Sequence, residues 1–146
     1  MLKLIHLDVD ADGKKIPLAN KKTNQIADVG KGRAIAVWGV MQYLAVGMNE
    51  GTVKIYQLDP WDHVADINKR SRWIQDLKFS PNGSMLAVGS HDNTIDVYQV
   101  PSFKRKYALK KHSSFISHID WAEKSEYLQS NCGAYEILYW DMNTGQ

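Results

Sequence analysis

The chain has 146 residues, with 18 Lys and Arg against 16 Asp and Glu for a formal charge of +2, and it is 44% apolar and 23% charged. These proportions belong to a globular domain and exclude a disordered tail, a collagen-like fibre and a strongly basic nucleic-acid arm. No apolar run reaches the about 18 residues of a membrane span, the N-terminus lacks a signal peptide's apolar centre, and Cys132 as the only cysteine excludes an intrachain disulfide, so a soluble, cytoplasmic protein is expected.

Leu2 to Asp8 and roughly Lys15 to Leu18 read as the last two strands of a sheet whose earlier part would precede them. The acidic stretch between them, Asp8 to Gly13, matches the first half of a calcium loop. Its twelfth position is Ala19, where a bidentate glutamate is needed, and a strand precedes it rather than a helix. An acidic hairpin turn is the plainer reading. GKGR at Gly30 to Arg33 lacks the further glycines and the strand-to-helix setting of a phosphate loop.

Beyond this point the chain repeats itself. LAVG at Leu44 to Gly47 returns 42 residues later at Leu86 to Gly89, and Leu128 stands another 42 residues on. The same step joins Val53, Ile95 and Ile137; Ile55, Val97 and Tyr139; Tyr56, Tyr98 and Trp140; Ile35, Leu77 and Ile119; and Val37, Phe79 and Trp121. Within a unit the apolar period is that of strands. Ile95 and Val97 share one face, while Thr94, Asp96 and Tyr98 share the other.

Turns are placed by Ser80-Pro81-Asn82-Gly83 and by Ser90 to Asn93. A fourth strand is expected near Val64 and again near Tyr107. Four short antiparallel strands in about 40–45 residues make one blade of a β-propeller. The expected fold is therefore all-β, a partial WD-repeat β-propeller of four-stranded antiparallel blades. Residues 1–29 would end a preceding blade and add a linker; 30–67 and 68–109 would be blades, and 110–146 an incomplete one. A seven-bladed ring of such units needs about 290 residues, so the sequence reads as a piece of a longer propeller.

Ser80-Pro-Asn-Gly, LAVGSHDNTIDVY and YWD resemble WD-repeat propellers in general. HSSFISHIDW (His112 to Trp121) followed by SNCGAYEILYWD (Ser130 to Asp141) is similar to the atypical propeller of the echinoderm microtubule-associated protein-like family, and SMLAVGSHDNTIDVY upstream shares that similarity. The resemblance is close from about Trp73 to Asp141 and loose from Lys31 to Trp73. It implies a non-enzymatic, cytoskeletal interaction module associating with tubulin or microtubules. The alternative is a general WD-repeat scaffold for protein complexes.

WD-repeat blades are often tied by a relay of a loop His, a strand Ser or Thr, a turn Asp and a third-strand Trp. The third unit has His112, Ser130 and Trp140, but Ala134 at the Asp position. The middle unit has Asp92, but Arg70 and Tyr98 at the His and Trp positions. No unit carries the full set, so packing rather than a buried network is expected to hold the blades.

His6, His63, His91, His112 and His118 are dispersed without metal-ligand spacing, Cys132 follows a strand without a partner, and the carboxylates are scattered. No catalytic group, metal site or cofactor is expected. Charge is more informative. The loops entering the first strands carry Lys31 and Arg33; Lys69, Arg70 and Arg72; and Lys110, Lys111 and His112, with Lys104, Arg105 and Lys106 just before the last.

Three basic loops on one rim would form a positive docking face for an acidic protein or peptide, although solvated lysines that keep sheet edges unpaired are the plainer reading. Trp73 beside Arg70 and Arg72 suits an interface anchor and would equally pack between blades. Tyr135, at the third unit's tight turn, is expected to reach the same rim. The candidate partner-binding set is thus Lys31, Arg33, Lys69, Arg70, Arg72, Trp73, Lys110, Lys111 and Tyr135. A nucleic-acid partner is disfavoured, because aromatic and basic residues do not interleave along a strand, and no membrane partner is expected.

Overall fold

The computed structural model describes Leu2–Ile5, Thr23–Ile26 and residues 31–146. Among these residues every regular element is a strand, and no helix is long and apolar enough to cross a membrane. Residues 1–30 and Lys31–Gln146 are separate compact units. In the first, β1 (Leu2–Ile5) pairs antiparallel with β2 (Thr23–Ile26), Leu2 opposite Ile26. TNQI is polar and gives little strand signal in the sequence. The strand expected near Lys15 to Leu18 and the Asp8 to Gly13 loop lie outside the described residues.

The second unit holds three antiparallel meanders. The first sheet is β3 (Gly32–Trp38), β4 (Tyr43–Met48), β5 (Val53–Leu58) and β6 (Trp61–Ile67), in that spatial order. The second is β7 (Ile74–Phe79), β8 (Met85–Ser90), β9 (Ile95–Gln99) and β10 (Arg105–Leu109). The third is β11 (Ile116–Trp121), β12 (Tyr127–Cys132) and β13 (Ile137–Asp141).

The 42-residue step is structural as well as textual. Leu44 faces Tyr56, Leu86 faces Tyr98 and Leu128 faces Trp140 across their ladders. Each first strand slips register at its start, after Gly32, Ile74 and Ile116. A bulge at this place bends the strand and sharpens its twist, and here it does so identically in each sheet.

The sheets stack through two apolar layers. Ala45, Val53 and Ile55 of the first sheet pack with Ile74, Leu77, Leu86 and Tyr98 of the second. Met85, Ala87, Ile95 and Val97 of the second pack with Ile116, Ile119, Leu128 and Trp140 of the third. The middle sheet is covered on both faces, so every residue of β8 is buried. Each large side chain so placed contributes about 1.5–3 kcal/mol.

The third sheet is covered on one face. Tyr127, Ile137 and Tyr139 are 47%, 55% and 68% exposed, at positions where the middle sheet buries Met85, Ile95 and Val97.

The turn between β7 and β8 shows how closely the sheets meet. Ser80 Oγ donates to Asn82 Oδ1 at 2.8 Å and accepts from Met85 N at 3.0 Å. Gly83 completes the turn at φ +70°, and a Cβ there would come within 2.3 Å of the Trp38 ring of the neighbouring sheet. Glycine is needed both for the left-handed backbone and for that close approach.

Candidate interaction rim

In each sheet the loop entering the first strand is tied to the turn between the second and third. Asn49 N donates to Lys31 O at 2.8 Å, His91 N to Trp73 O at 3.0 Å, and Gly133 N to Phe115 O at 2.9 Å. Adjacent sheets are joined at this same end. Arg70 N donates to Gly51 O at 3.2 Å, and Asn93 Nδ2 to Ser113 O at 3.3 Å. The three loops and three turns thus form one continuous rim.

A row of π systems runs along it. The Trp73 and His91 ring centroids are 4.0 Å apart, and His91 stacks on Phe115 at 4.3 Å with 12° between planes. The Arg33 guanidinium lies 4.8 Å from the Trp73 centroid, within cation–π range. Phe115 rests on Gly133, where a Cβ would come within 2.4 Å of its ring. Desolvation between the two rings, reinforced by Arg72 and Arg33, lowers the pKa of His91 below its ordinary value. Trp73 packs between the Arg33 and His91 side chains of two sheets and keeps part of its surface on the rim.

Lys31, Arg33, Lys69, Arg72, Lys110 and Lys111 are exposed, and Lys111 Nζ lies 5.9 Å from the Trp140 centroid. Tyr135 is 97% exposed at a positive φ of 63° on the turn after β12. Arg70 departs from the expectation. Its Nε donates to Asp96 Oδ2 at 2.7 Å and its Nη2 to Asp96 Oδ1 at 2.6 Å. Asp92 lies 3.8 Å from Nη1. The Asp96 side chain is only 2% exposed, and a buried carboxylate requires a charged partner, so Arg70 turns inward to Asp96 rather than out to solvent.

Upstream of the third loop, Arg105 lies 3.5 Å from Asp96 Oδ1 and Lys106 Nζ donates to Met142 O at 3.0 Å. His91, Phe115 and Gly133 are absent from the sequence-derived set. The repeat pairs Phe115 with Trp73 and so could have found the first ring of the pair. Nothing in the repeat marks His91, whose equivalents are Asn49 and Gly133.

Beneath the third loop is a buried relay. Trp140 Nε1 donates to Ser130 Oγ at 2.8 Å, and His112 Nε2 is 2.7 Å from that oxygen. His112 Nδ1 is 3.3 Å from Glu136 Oε2. Glu136 also accepts from Ser113 N at 2.9 Å, Ser113 Oγ at 2.7 Å and Cys132 Sγ at 3.1 Å. The Ser113 amide and hydroxyl are the main cause of a Glu136 carboxyl pKa of about 2.

The expectation of an incomplete relay is thereby corrected for the third sheet. Glu136, beyond Ala134 on the same turn, supplies the carboxylate, and Cys132 is bonded rather than unpartnered. In the middle sheet the Arg70–Asp96 pair takes the relay's place, beside Tyr98 Oη donating to Asn68 Oδ1 at 3.1 Å.

Sheets with a common bulge and a common register, the third carrying a rim relay, form a WD-repeat propeller segment, and the sequence places it among known ones. The pattern described as "Echinoderm microtubule-associated protein second beta-propeller" matches residues 5–146. The chain belongs to this family.

Echinoderm microtubule-associated protein-like 3 of Mus musculus is 36% identical over 129 residues, covering 86% of this chain and 14% of that protein. Its Homo sapiens counterpart is 39% identical over 106 residues, covering 70% of this chain and 12% of that protein. The ciliary WD repeat-containing protein ctxp80 of Euplotoides octocarinatus is 41% identical over 111 residues, covering 74% of this chain and 16% of that protein. The chain thus spans less than a fifth of these relatives. The crystal structure of the computationally designed Ika4 protein matches with a TM-score of 0.75 at 20% identity, over 84% of this chain and 73% of that one. That likeness bears on the propeller fold alone. This member of the family is a WD-repeat protein-interaction module.

Proposed function

We propose that this propeller segment associates with tubulin or microtubules, without catalysis, through the rim that carries Lys31, Arg33, Lys69, Arg72, Trp73, Lys110, Lys111 and Tyr135. The observation that carries this reading is the cation-flanked row Arg33, Trp73, His91 and Phe115 on a chain whose family takes its name from microtubule association. Tubulin presents a markedly acidic surface. Exposed Lys and Arg would steer encounter, while the partly exposed rings would supply desolvated anchors. Attraction of this kind weakens as salt screens it. A cytoplasmic, cytoskeletal location follows from the same reading.

The test is co-sedimentation with microtubules at low salt. Lys31→Glu, Arg33→Glu and Arg72→Glu combined should reduce pelleting while the β-sheet circular dichroism is unchanged. Pelleting equal to that of the unaltered chain would overturn the rim assignment. A cleft of about 450 Å³ lined by Phe115, Tyr135 and Ile137 favours a second reading, a scaffold that takes an extended peptide of another complex. Capture of such a peptide with no tubulin recovered would select it.

A further inference from the structure

Three side chains with metal-ligating atoms converge under the rim from three separate segments: His112 from the entering loop, Cys132 from the end of β12, and Glu136 from the following turn. Their candidate ligand atoms all lie within 4.8 Å of one another. Two of the separations are shorter, 3.1 Å from Cys132 Sγ to Glu136 Oε2 and 3.3 Å from His112 Nδ1 to the same oxygen. Bonds of about 2.0–2.3 Å in tetrahedral geometry hold zinc's ligands about 3.3–3.8 Å apart. Small rotations of these side chains would therefore admit the ion.

The surroundings match what a ligand set requires. A ligating imidazole needs its other nitrogen held, and His112 Nε2 is 2.7 Å from Ser130 Oγ, itself fixed by Trp140 Nε1 at 2.8 Å. Glu136 is oriented by both the amide and the hydroxyl of Ser113. His112 and Cys132 are buried, while Glu136 stands at the wall of the cleft that Cys132, Gly133 and Tyr135 also line. A water or a partner's side chain could therefore complete the coordination from outside.

We propose that His112, Cys132 and Glu136 form a three-ligand site for zinc or a divalent cation of similar softness, opening on the rim cleft. One nitrogen, one sulfur and one carboxylate oxygen favour such an ion over calcium or magnesium, which select oxygen. On binding, the proton of the Cys132 thiol leaves to solvent, and the single imidazole proton of His112 stands on Nε2, which leaves Nδ1 free for the ion. The thiolate and carboxylate then balance the two positive charges. His112 keeps its Nε2 proton and donates it to Ser130 Oγ. This proposal does not depend on the microtubule reading.

The test is titration of the reduced, metal-free chain with cobalt(II) as a spectroscopic probe, followed by zinc. One equivalent of cobalt should produce a thiolate-to-metal charge-transfer band with intense tetrahedral ligand-field bands, and zinc should abolish both. Cys132→Ser, which keeps a hydrogen bond to Glu136, should lose the charge-transfer band and weaken cobalt binding at least tenfold. Glu136→Gln should keep the band and weaken binding. Absence of any Cys132-dependent band in the unaltered chain would overturn the proposal. So would zinc raising the melting temperature of the unaltered and Cys132→Ser chains equally.

Discussion

Arg70 and Arg72 lie on one loop and have opposite surroundings. Arg70 is held against a buried carboxylate by two hydrogen bonds, whereas Arg72 is exposed. Removing one partner of a buried ion pair strands the other charge and costs about 3 kcal/mol or more. Arg70→Ala should therefore lower unfolding stability in urea by about that amount, and Arg72→Ala should change it by less than about 0.5 kcal/mol.

His91 gives a pH dependence with a definite sign. Its folded-state pKa lies below its ordinary value of 6.5, through desolvation first and then Arg72 and Arg33. The folded state therefore binds its proton less readily than the unfolded chain does. The stabilisation from the neutral imidazole is present above 6.5 and is lost as the pH falls from there through the depressed folded value. Nuclear magnetic resonance titration of His91 should give a midpoint below 6.5, with a change in Trp73 fluorescence over the same interval. A midpoint at or above the unperturbed value would contradict the stacked geometry.

The β12–β13 hairpin is held in part by buried polar contacts. Ser130 Oγ accepts the buried Trp140 Nε1 proton and meets His112 Nε2. Ser130→Ala leaves a buried donor unpaired and should cost about 1–3 kcal/mol in the urea-unfolding free energy. The three residues of this relay were legible in sequence, because a fixed step carries each to a known place in the unit. Its carboxylate was not. Tyr135 takes a positive φ and the turn brings Glu136 back towards His112, a path that no strand periodicity encodes. Arg70's inward turn was hidden for a related reason: one strand contributes buried residues to two layers, so the partner demanded by Asp96 emerges only when both layers are seen. β2 was missed because TNQI has neither alternation nor an apolar face.

For the molecule as a whole, the step of 42 residues made the antiparallel strands and their equivalent apolar columns legible, while the ladder registers and the two stacking layers came from the structure. The columns nonetheless differ in consequence. Ile55 is fully buried, and its equivalent Tyr139 is 68% exposed. Ile55→Ala should cost about 2–5 kcal/mol, while Tyr139→Ala should stay within about 0.5 kcal/mol of neutral. Chemical denaturation of the two variants compares them directly. Amide hydrogen exchange should follow the same logic, slowest in β8, which is buried at every position, and faster in β13, which has Ile137 and Tyr139 exposed.

The bulges after Gly32, Ile74 and Ile116 have a consequence for how such a chain can change over generations. Because these bulges recur at the same interval as the ladders, excising one whole interval inside the repeats joins each strand to a stand-in of itself, with inward and outward positions still in phase. Recombination between neighbouring copies can therefore add or remove a whole wedge in one event and preserve the pairing frame.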